Sequence, residues 1–261
     1  MDPGAAMSEL VAVQQLWVRE LKQMFRRPSR MLGFLMQPLM WLFLFGFGVG
    51  KGLGVTVNGT PYILFILPGI LGMKLLYGSS RAGMSVLRDR QGGFLKEVFV
   101  APVRRTSILV GVALGQVSRT LIQGLFLIGA GYLMGLRMGL GQLLLLLLVM
   151  ALVGAALVMV GIALAWYSDD PATFATASNF VILPLFLLSG SLFDVSKLPT
   201  WFGVLVKLNP LTYCVDALRQ IALGPSFANF PLVLDVLIVF GWLLIGLSAG
   251  SLILRRASEN A

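Results

Sequence analysis

Two positive charges stand inside stretches that otherwise read as hydrocarbon-embedded. Lys74 lies near the middle of an apolar run, and Tyr77, Ser80 and Arg81 follow on roughly its helical face at i+3, i+6 and i+7. Arg119 lies inside the next run, with Gln116 at i−3 and Gln123 at i+4. A charge held in a bilayer costs about 2.5–3.5 kcal/mol even on insertion scales, so such groups turn to protein, water or a counter-charge. The chemistry open to them is recognition of an anion: a headgroup, a phosphate or a glycan moving through a polar lining. The plainer alternatives are structural pairing, snorkelling of a long side chain, or a longer excursion into water for Arg81. No acidic residue stands mid-span as an evident partner.

Other chemistry is largely closed to this chain. It has no histidine, so the commonest metal ligand and general base is missing. Its one cysteine, Cys214, excludes an internal disulfide and a cysteine-cluster metal site. The string from Gly48 to Gly52 has a superficial likeness to a phosphate-binding loop, but position 45 is Phe where that motif needs Gly. Gly52 also stands where Ser or Thr should bind magnesium. No Walker motif is therefore present, and ATP hydrolysis is not expected of this chain alone. A net charge of +9 raises nucleic acid as a partner, but basic residues gathered beside apolar spans are the ordinary topogenic signal. No nucleic-acid partner is expected.

The elements that must position these residues are membrane helices. The chain of 261 residues is 57% hydrophobic and 12% charged, with a mean hydropathy of +0.89. Soluble domains carry about 25% charged residues, roughly twice as many. Six apolar runs are expected to span, at about 31–50, 61–83, 108–134, 140–167, 174–193 and 232–254, with a kink expected at Gln37-Pro38 in the first and an interruption at Pro184 in the fifth. In-membrane aromatics such as Trp41, Phe43, Phe45, Phe47 and Trp166 read as lipid-facing or packing residues. Gly124, Gly129, Gly131, Gly154 and Ala155 fit close helix packing.

Residues 8–30 form an expected amphipathic interface helix. Leu10, Val13, Trp17, Leu21 and Met24 make an apolar stripe at helical spacing, opposite Gln15, Arg19, Lys22, Gln23 and Arg26. Residues 86–105 form a basic loop carrying Arg88, Arg90, Lys96, Arg104 and Arg105 against Asp89 and Glu97. Gly92-Gly93 opens a short helix there, Phe94 to Val100, and Pro102 closes it. A short, capped, charged helix between two spans suits a docking handle for a soluble partner. Orientation follows from the basic residues. Arg19, Lys22, Arg26, Arg27 and Arg30, the five of the loop, and Arg255 and Arg256 share one side. Lys51, Arg137, Lys197, Lys207 and Arg219 fall on the other. Twelve against five places both termini and the loop in the cytoplasm.

The segment 194–231 carries a more specific signal. Leu198-Pro199-Thr200-Trp201, then Leu208-Asn209-Pro210-Leu211-Thr212-Tyr213, then Asp216-Ala217-Leu218-Arg219, resembles the carboxy-terminal signature of ABC-2 type transporter permeases. The branch with daunorubicin-resistance and nodulation-factor export permeases is the nearest in kind. Glu97 followed by Ala101-Pro102-Val103-Arg104 is similar to that family's coupling segment, and the resemblance covers Ser8 to Arg256.

That resemblance implies an all-α polytopic membrane protein of the bacterial inner membrane, with short re-entrant helices between the fifth and sixth spans. It implies two permease copies, a homodimer by default, working with two copies of a separate ABC ATPase. ATP and magnesium would sit on that ATPase, with no cofactor or metal on this chain. Trp17 and Arg19 of the interface helix, with Arg90, Phe94, Glu97, Val98, Pro102, Arg104 and Arg105 of the loop, would contact the ATPase. The re-entrant pieces would cap the outer side of the pathway through Pro199, Trp201, Asn209, Pro210, Tyr213, Asp216 and Arg219. Two pieces too short to span, 198–208 and 211–223, meet at Asn209-Pro210, where proline enforces a break. Asp216 and Arg219, three apart on a helix, could pair locally. Lys74, Tyr77, Gln116, Arg119 and Gln123 are the candidates for the substrate path. Asp169-Asp170-Pro171 is either a second ATPase contact or a plain turn.

The function implied is outward transport of an amphipathic drug, lipid-linked molecule or glycan by alternating access. An ion-coupled carrier or channel is the alternative, and it would want mid-membrane acids. A membrane-embedded lipid-modifying enzyme comes third and would want histidine or clustered acids.

Overall fold

A computed structural model describes residues 3–26, 28–92, 105–168, 170–195 and 199–259. The helices in chain order are α1 (Pro3–Phe25), α2 (Pro28–Phe43), α3 (Tyr62–Gln91), α4 (Arg105–Leu133), α5 (Leu140–Ala165), α6 (Pro171–Leu187), α7 (Thr200–Leu208), α8 (Pro210–Leu223) and α9 (Leu232–Glu259). Four of them, α3, α4, α5 and α9, are long and apolar enough to cross a membrane. The apolar stretches Leu35–Lys51 and Pro171–Leu187 are shorter. A bilayer core of about 30 Å needs about 20 helical residues.

α3 is the central helix, and twenty-two of its thirty residues are buried. Its partners fix the direction of each neighbour. Leu67 meets Gly131 and Leu71 meets Gly124, so α4 runs antiparallel to α3. Leu75 lies by Gly154 and Ser79 by Gly161, so α5 runs parallel to it. Gly46, just past α2, packs on Ile63 while Gln37 shares a cavity with Lys74, and Phe174 packs on Gly83 while Ser191 packs on Gly69, so α2 and α6 are antiparallel to α3 again. The main core joins α3, α5 and α8 through residues such as Ile66, Ile70, Leu71, Val153, Val215 and Leu218. Without water to drive apolar contacts in lipid, such packing rests on close fit.

Four elements depart from the expected pattern. The first apolar run is sixteen residues of α-helix followed by an eight-residue π-helical segment, Leu44–Lys51. The Gly-rich connection after it contains a small antiparallel hairpin, Thr56–Val57 with Thr60–Pro61. Asn58 (φ 48°) and Gly59 (φ 76°) both take positive φ, as a two-residue hairpin turn of the primed type requires. α3 continues through Gln91, so Arg88, Asp89 and Arg90 stand on its last turns and not in a loop, because no breaker occurs before Gly92. α6 starts at Pro171 and stops at Leu187, six residues before the expected end. Pro184 and the turn at Gly190 (φ 71°) bring the chain back toward α3, where Ser191 packs on Gly69.

α1 also differs in the face it buries. Leu16, Glu20 and Met24 are buried, whereas Leu10, in the expected stripe, is 71% exposed. The helix runs alongside and parallel to α4. Glu9 is bonded to Ser107, Leu16 lies on Gly111, and Glu20 lies on Gly115. Gly111 and Gly115, four apart, form the groove that admits it.

Candidate functional site

At the Gln91 end, a polar cluster ties three helices together. Glu20 of α1 has no exposed surface. Its carboxylate accepts from Gln116 Nε2 at 2.7 Å and from Ser85 Oγ at 3.4 Å, and Arg19 lies 3.3 Å away. Arg119 donates to the Glu20 carbonyl at 2.9 Å, and Trp17 Nε1 donates to Ser118 Oγ at 3.0 Å. Arg19 reaches Asp89 on α3 at 2.5 Å. Burial alone would lower the Arg19 pKa, but the hydrogen bond and negative charge of Asp89, with those of Glu20, raise it above its ordinary value. Arg90 donates to the Trp166 carbonyl at 3.2 Å and sits 4.9 Å over its ring, which fastens α3 to the end of α5.

The coupling candidates therefore separate. Trp17 and Arg19 tie α1 to α4 and to the Gln91 end of α3, and Arg90 ties that same end to α5, so the three act as one clamp. Phe94, Glu97, Val98, Pro102 and Arg104 lie outside the described residues, and Arg105 opens α4. In the next turn, Asp170 caps α6 by accepting from Ala172 N at 2.8 Å and Thr173 N at 3.1 Å. Hydrogen bonds from Thr173 and Ala172 hold its carboxyl below the usual value. Asp169 is outside the described residues.

The path candidates separate as well. Lys74 and Tyr77 line a cavity of about 130 Å³ between α2, α3 and α6, together with Gln37, Ser80, Arg81 and Asn179. Gln116 and Arg119 turn to α1 instead. Gln123 is fully buried, and its amide atoms have no hydrogen-bond partner among the described residues. The acidic residue beside Gln116 and Arg119 is Glu20, which comes from outside the spans and so escapes a search along them. A second cavity, about 530 Å³ and mainly apolar, opens between α3, α5, α6 and α9, with Leu76, Leu157, Val181 and Trp242 on its walls. Ser80 lines both cavities.

At the Tyr62 end, α7 and α8 meet at Asn209, whose ψ of 117° breaks the helix before Pro210. Asn209 serves two helix ends. Its Oδ1 accepts from Leu211 N at 2.9 Å, and its Nδ2 donates to the Leu185 carbonyl of α6 at 2.6 Å. Thr212 and Tyr213 hydroxyls donate to the Val206 and Lys207 carbonyls that end α7. α8 is buried on most sides, whereas Trp201 of α7 is 67% exposed and Pro199 is exposed too.

Asp216 and Arg219 make no direct ion pair with each other. Asp216 accepts from Asn229 N, Asn229 Nδ2 and Phe230 N at 2.7–3.0 Å, which folds the loop before α9 onto α8. Arg219 donates to Gly190 O at 2.8 Å and Ser191 O at 3.3 Å, and lies 4.1 Å over Phe65. Each side chain finds main-chain partners from distant loops that satisfy it more fully than a neighbour on one helix turn. Asp235, in the first turn of α9 and fully buried, joins them through Gln220 at 2.7 Å. Sequence reasoning passed over it; an acid in the first turn of a helix was the available signal.

Residues 11–223 match the profile of the family described as ABC-2 type transporter. The chain belongs to that family. It is 30% identical to a candidate transport permease, ycf38, of Porphyra purpurea, over 80% of this chain and 73% of that one. It is 25% identical to the daunorubicin resistance ABC transporter permease protein DrrB1 of Streptomyces coeruleorubidus, over 90% and 83%. It is 24% identical to the inner membrane transport permease YadH of Escherichia coli, over 88% and 90%. This ABC-2 chain is thus a membrane permease of an ABC transport system, and family membership implies an ABC ATPase as its partner.

Proposed function

We propose that this ABC-2 chain is the transmembrane subunit of an ATP-driven exporter. It would pass the bacterial inner membrane six times with both termini in the cytoplasm, and pair with a second copy and two ATPase subunits. The shorter apolar stretches Leu35–Lys51 and Pro171–Leu187 act as the first and fifth passes, with their ends completed by flanking polar segments. The chain supplies no nucleotide chemistry of its own; it converts movement of the ATPase into opening of the path to one side or the other.

The observation that carries this reading, beyond membership, is the clamp at the Gln91 end. Arg19–Asp89, Arg90–Trp166 and the Glu20 cluster bind α1, α3, α4 and α5 where the basic segment 93–104 leaves α3. A push on that segment reaches four helices at once. Co-expression with ABC ATPase subunits from the same genome, purification in lipid nanodiscs and assay of ATP turnover tests the proposal, with Glu97→Ala as the comparison. Co-purification with turnover that falls in Glu97→Ala is expected. Failure to associate with any ATPase sinks the reading and returns the ion-coupled carrier to the front.

A further inference from the structure

We propose that the transported molecule carries an anionic, phosphate-class group joined to a long hydrocarbon chain. Lys74 and Arg81 receive the anion, and the chain lies in the apolar cavity next door. This rests on the permease reading above and adds to it the class of substrate.

The smaller cavity has the chemistry of an oxyanion site. Lys74 and Arg81 stand on one face of α3 and both border this space, whose described lining contains no carboxylate. The remaining polar lining offers two hydroxyls, Tyr77 and Ser80, and two amides, Gln37 and Asn179. Six donor-bearing side chains around one space suit a group with three or four acceptor oxygens better than a carboxylate with two. At about 130 Å³ the space takes one such group and excludes a drug-sized body, which needs roughly 300–1,000 Å³. A cationic ligand would meet two like charges there.

The larger cavity supplies what the smaller lacks. At about 530 Å³ with walls of Leu, Val, Phe and Trp, it suits hydrocarbon and offers no charge. α6 borders both, with Asn179 on the smaller and Ala177 and Val181 on the larger, and Ser80 of α3 is common to them. A neutral apolar drug would use the second space alone. A free phosphate would use the first alone. A molecule that fills both is an anionic lipid or a lipid-linked phosphate.

The test is lipid retention by the purified full-length chain in neutral detergent, read by native mass spectrometry. Phosphatidic acid, phosphatidylcholine and soluble glycerol 3-phosphate are the probes. Phosphatidic acid should bind more tightly than phosphatidylcholine, and Lys74→Gln and Arg81→Gln should each weaken it about tenfold, the loss of one charge-assisted hydrogen bond. Lys74→Arg keeps the charge and should retain binding, which separates loss of the anion contact from loss of the fold. Ala177→Phe, on the apolar side, should weaken phosphatidic acid and leave glycerol 3-phosphate unaffected. Equal retention of the two lipids, or unchanged binding in both Gln variants, overturns the proposal. Glycerol 3-phosphate binding as tightly as phosphatidic acid overturns the lipid assignment in favour of a soluble phosphate. No ATPase is present in this assay. A chain that pairs with an ATPase but shows no anion preference loses this inference alone, and one that shows the preference but pairs with no ATPase loses the permease reading.

Discussion

Replacing Gly115 by Ala should destabilise the protein, while the same change at Gly129, on the same helix, should not. A Cβ at Gly115 would stand 2.4 Å from Glu20 Cβ and 2.7 Å from its Cγ; at Gly111 it would stand 2.8 Å from Leu16 Cβ and 3.1 Å from the Val13 carbonyl. These are the roots of side chains and main chain, so no rotamer change relieves them and α1 itself must move away. Overpacking of this kind costs about 1–3 kcal/mol. Displacing α1 also lengthens the bond from Gln116 to the buried Glu20 carboxylate. Gly129 is exposed and has nothing within 4 Å of a built Cβ. There, Ala should match or improve on Gly by about 0.5–1 kcal/mol, through helix propensity alone. The assay is thermal unfolding in detergent followed by a thiol-reactive fluorogenic dye, since the single cysteine, Cys214, is buried and becomes reactive when the core opens. With about 2–4 °C of Tm per kcal/mol at this chain length, Gly115→Ala and Gly111→Ala should each lose about 2–12 °C. Equal Tm values for Gly115→Ala and Gly129→Ala would refute the claim that α1 is seated in a glycine groove.

Two further outcomes are expected from the same assay, and a third from thermal unfolding followed by tryptophan fluorescence, which also reads in acid. Asn209→Asp keeps the acceptor that caps α8 but loses the donor to Leu185 O, so it should cost about 1–3 kcal/mol, whereas the cap alone is worth about 1 kcal/mol; a change no larger than that of Asn209→Ser would argue against the double role. Asp216→Ala leaves the Asn229 and Phe230 amides without their acceptor and should lower stability by about 2–3 kcal/mol, more than Arg219→Gln if the two do not pair. The Asp170 carboxyl has a lowered pKa in the folded protein, so its cap stabilises above the unfolded-state pKa and that contribution is lost as pH falls through the folded value. The Tm difference between native protein and Asp170→Ala should therefore be present at neutral pH and vanish in acid.

The four long apolar helices were legible because hydrocarbon-length runs have few other uses. Their ends were less so, for reasons visible in particular residues. Val86 to Gln91 is charged and read as a loop, yet Arg, Asp and Gln all tolerate a helix and only Gly92-Gly93 breaks it. The early end of α6 depends on Pro184 and Gly190 acting together with a return onto Gly69, a tertiary contact that leaves no periodic trace. Asn58-Gly59 was a plain hairpin signal, passed over because it lay in a Gly-rich connection between spans. Glu20 is the instructive case on α1. Named in neither the apolar stripe nor the polar face, it is the residue about which the buried cluster forms, and its partners Ser85 and Gln116 lie 65 and 96 residues away. The same distance in sequence hid the partners of Asp216 and Arg219: pattern shows which face is polar, but not what a polar residue will meet.

The central place of α3 connects these details. Its thirty residues extend about 45 Å, and one helix carries the clamp residues Asp89 and Arg90, the cavity residues Lys74, Tyr77, Ser80 and Arg81, and the seats of Ser191 and Val215 at Gly69 and Gly72. A displacement applied at its charged end is carried along a continuous backbone hydrogen-bond ladder, interrupted only where Pro68 lacks a donor. α6 contrasts with it. It packs chiefly on α3, and its ends are fixed by a cap at Asp170 and by Asn209 holding Leu185 O. Because α6 forms a wall of both cavities, a small rotation of α3 against α6 changes the two spaces together. An anion held at Lys74 and Arg81 and a chain lodged beside Trp242 would then be released by one motion, which is what a single mechanical input requires.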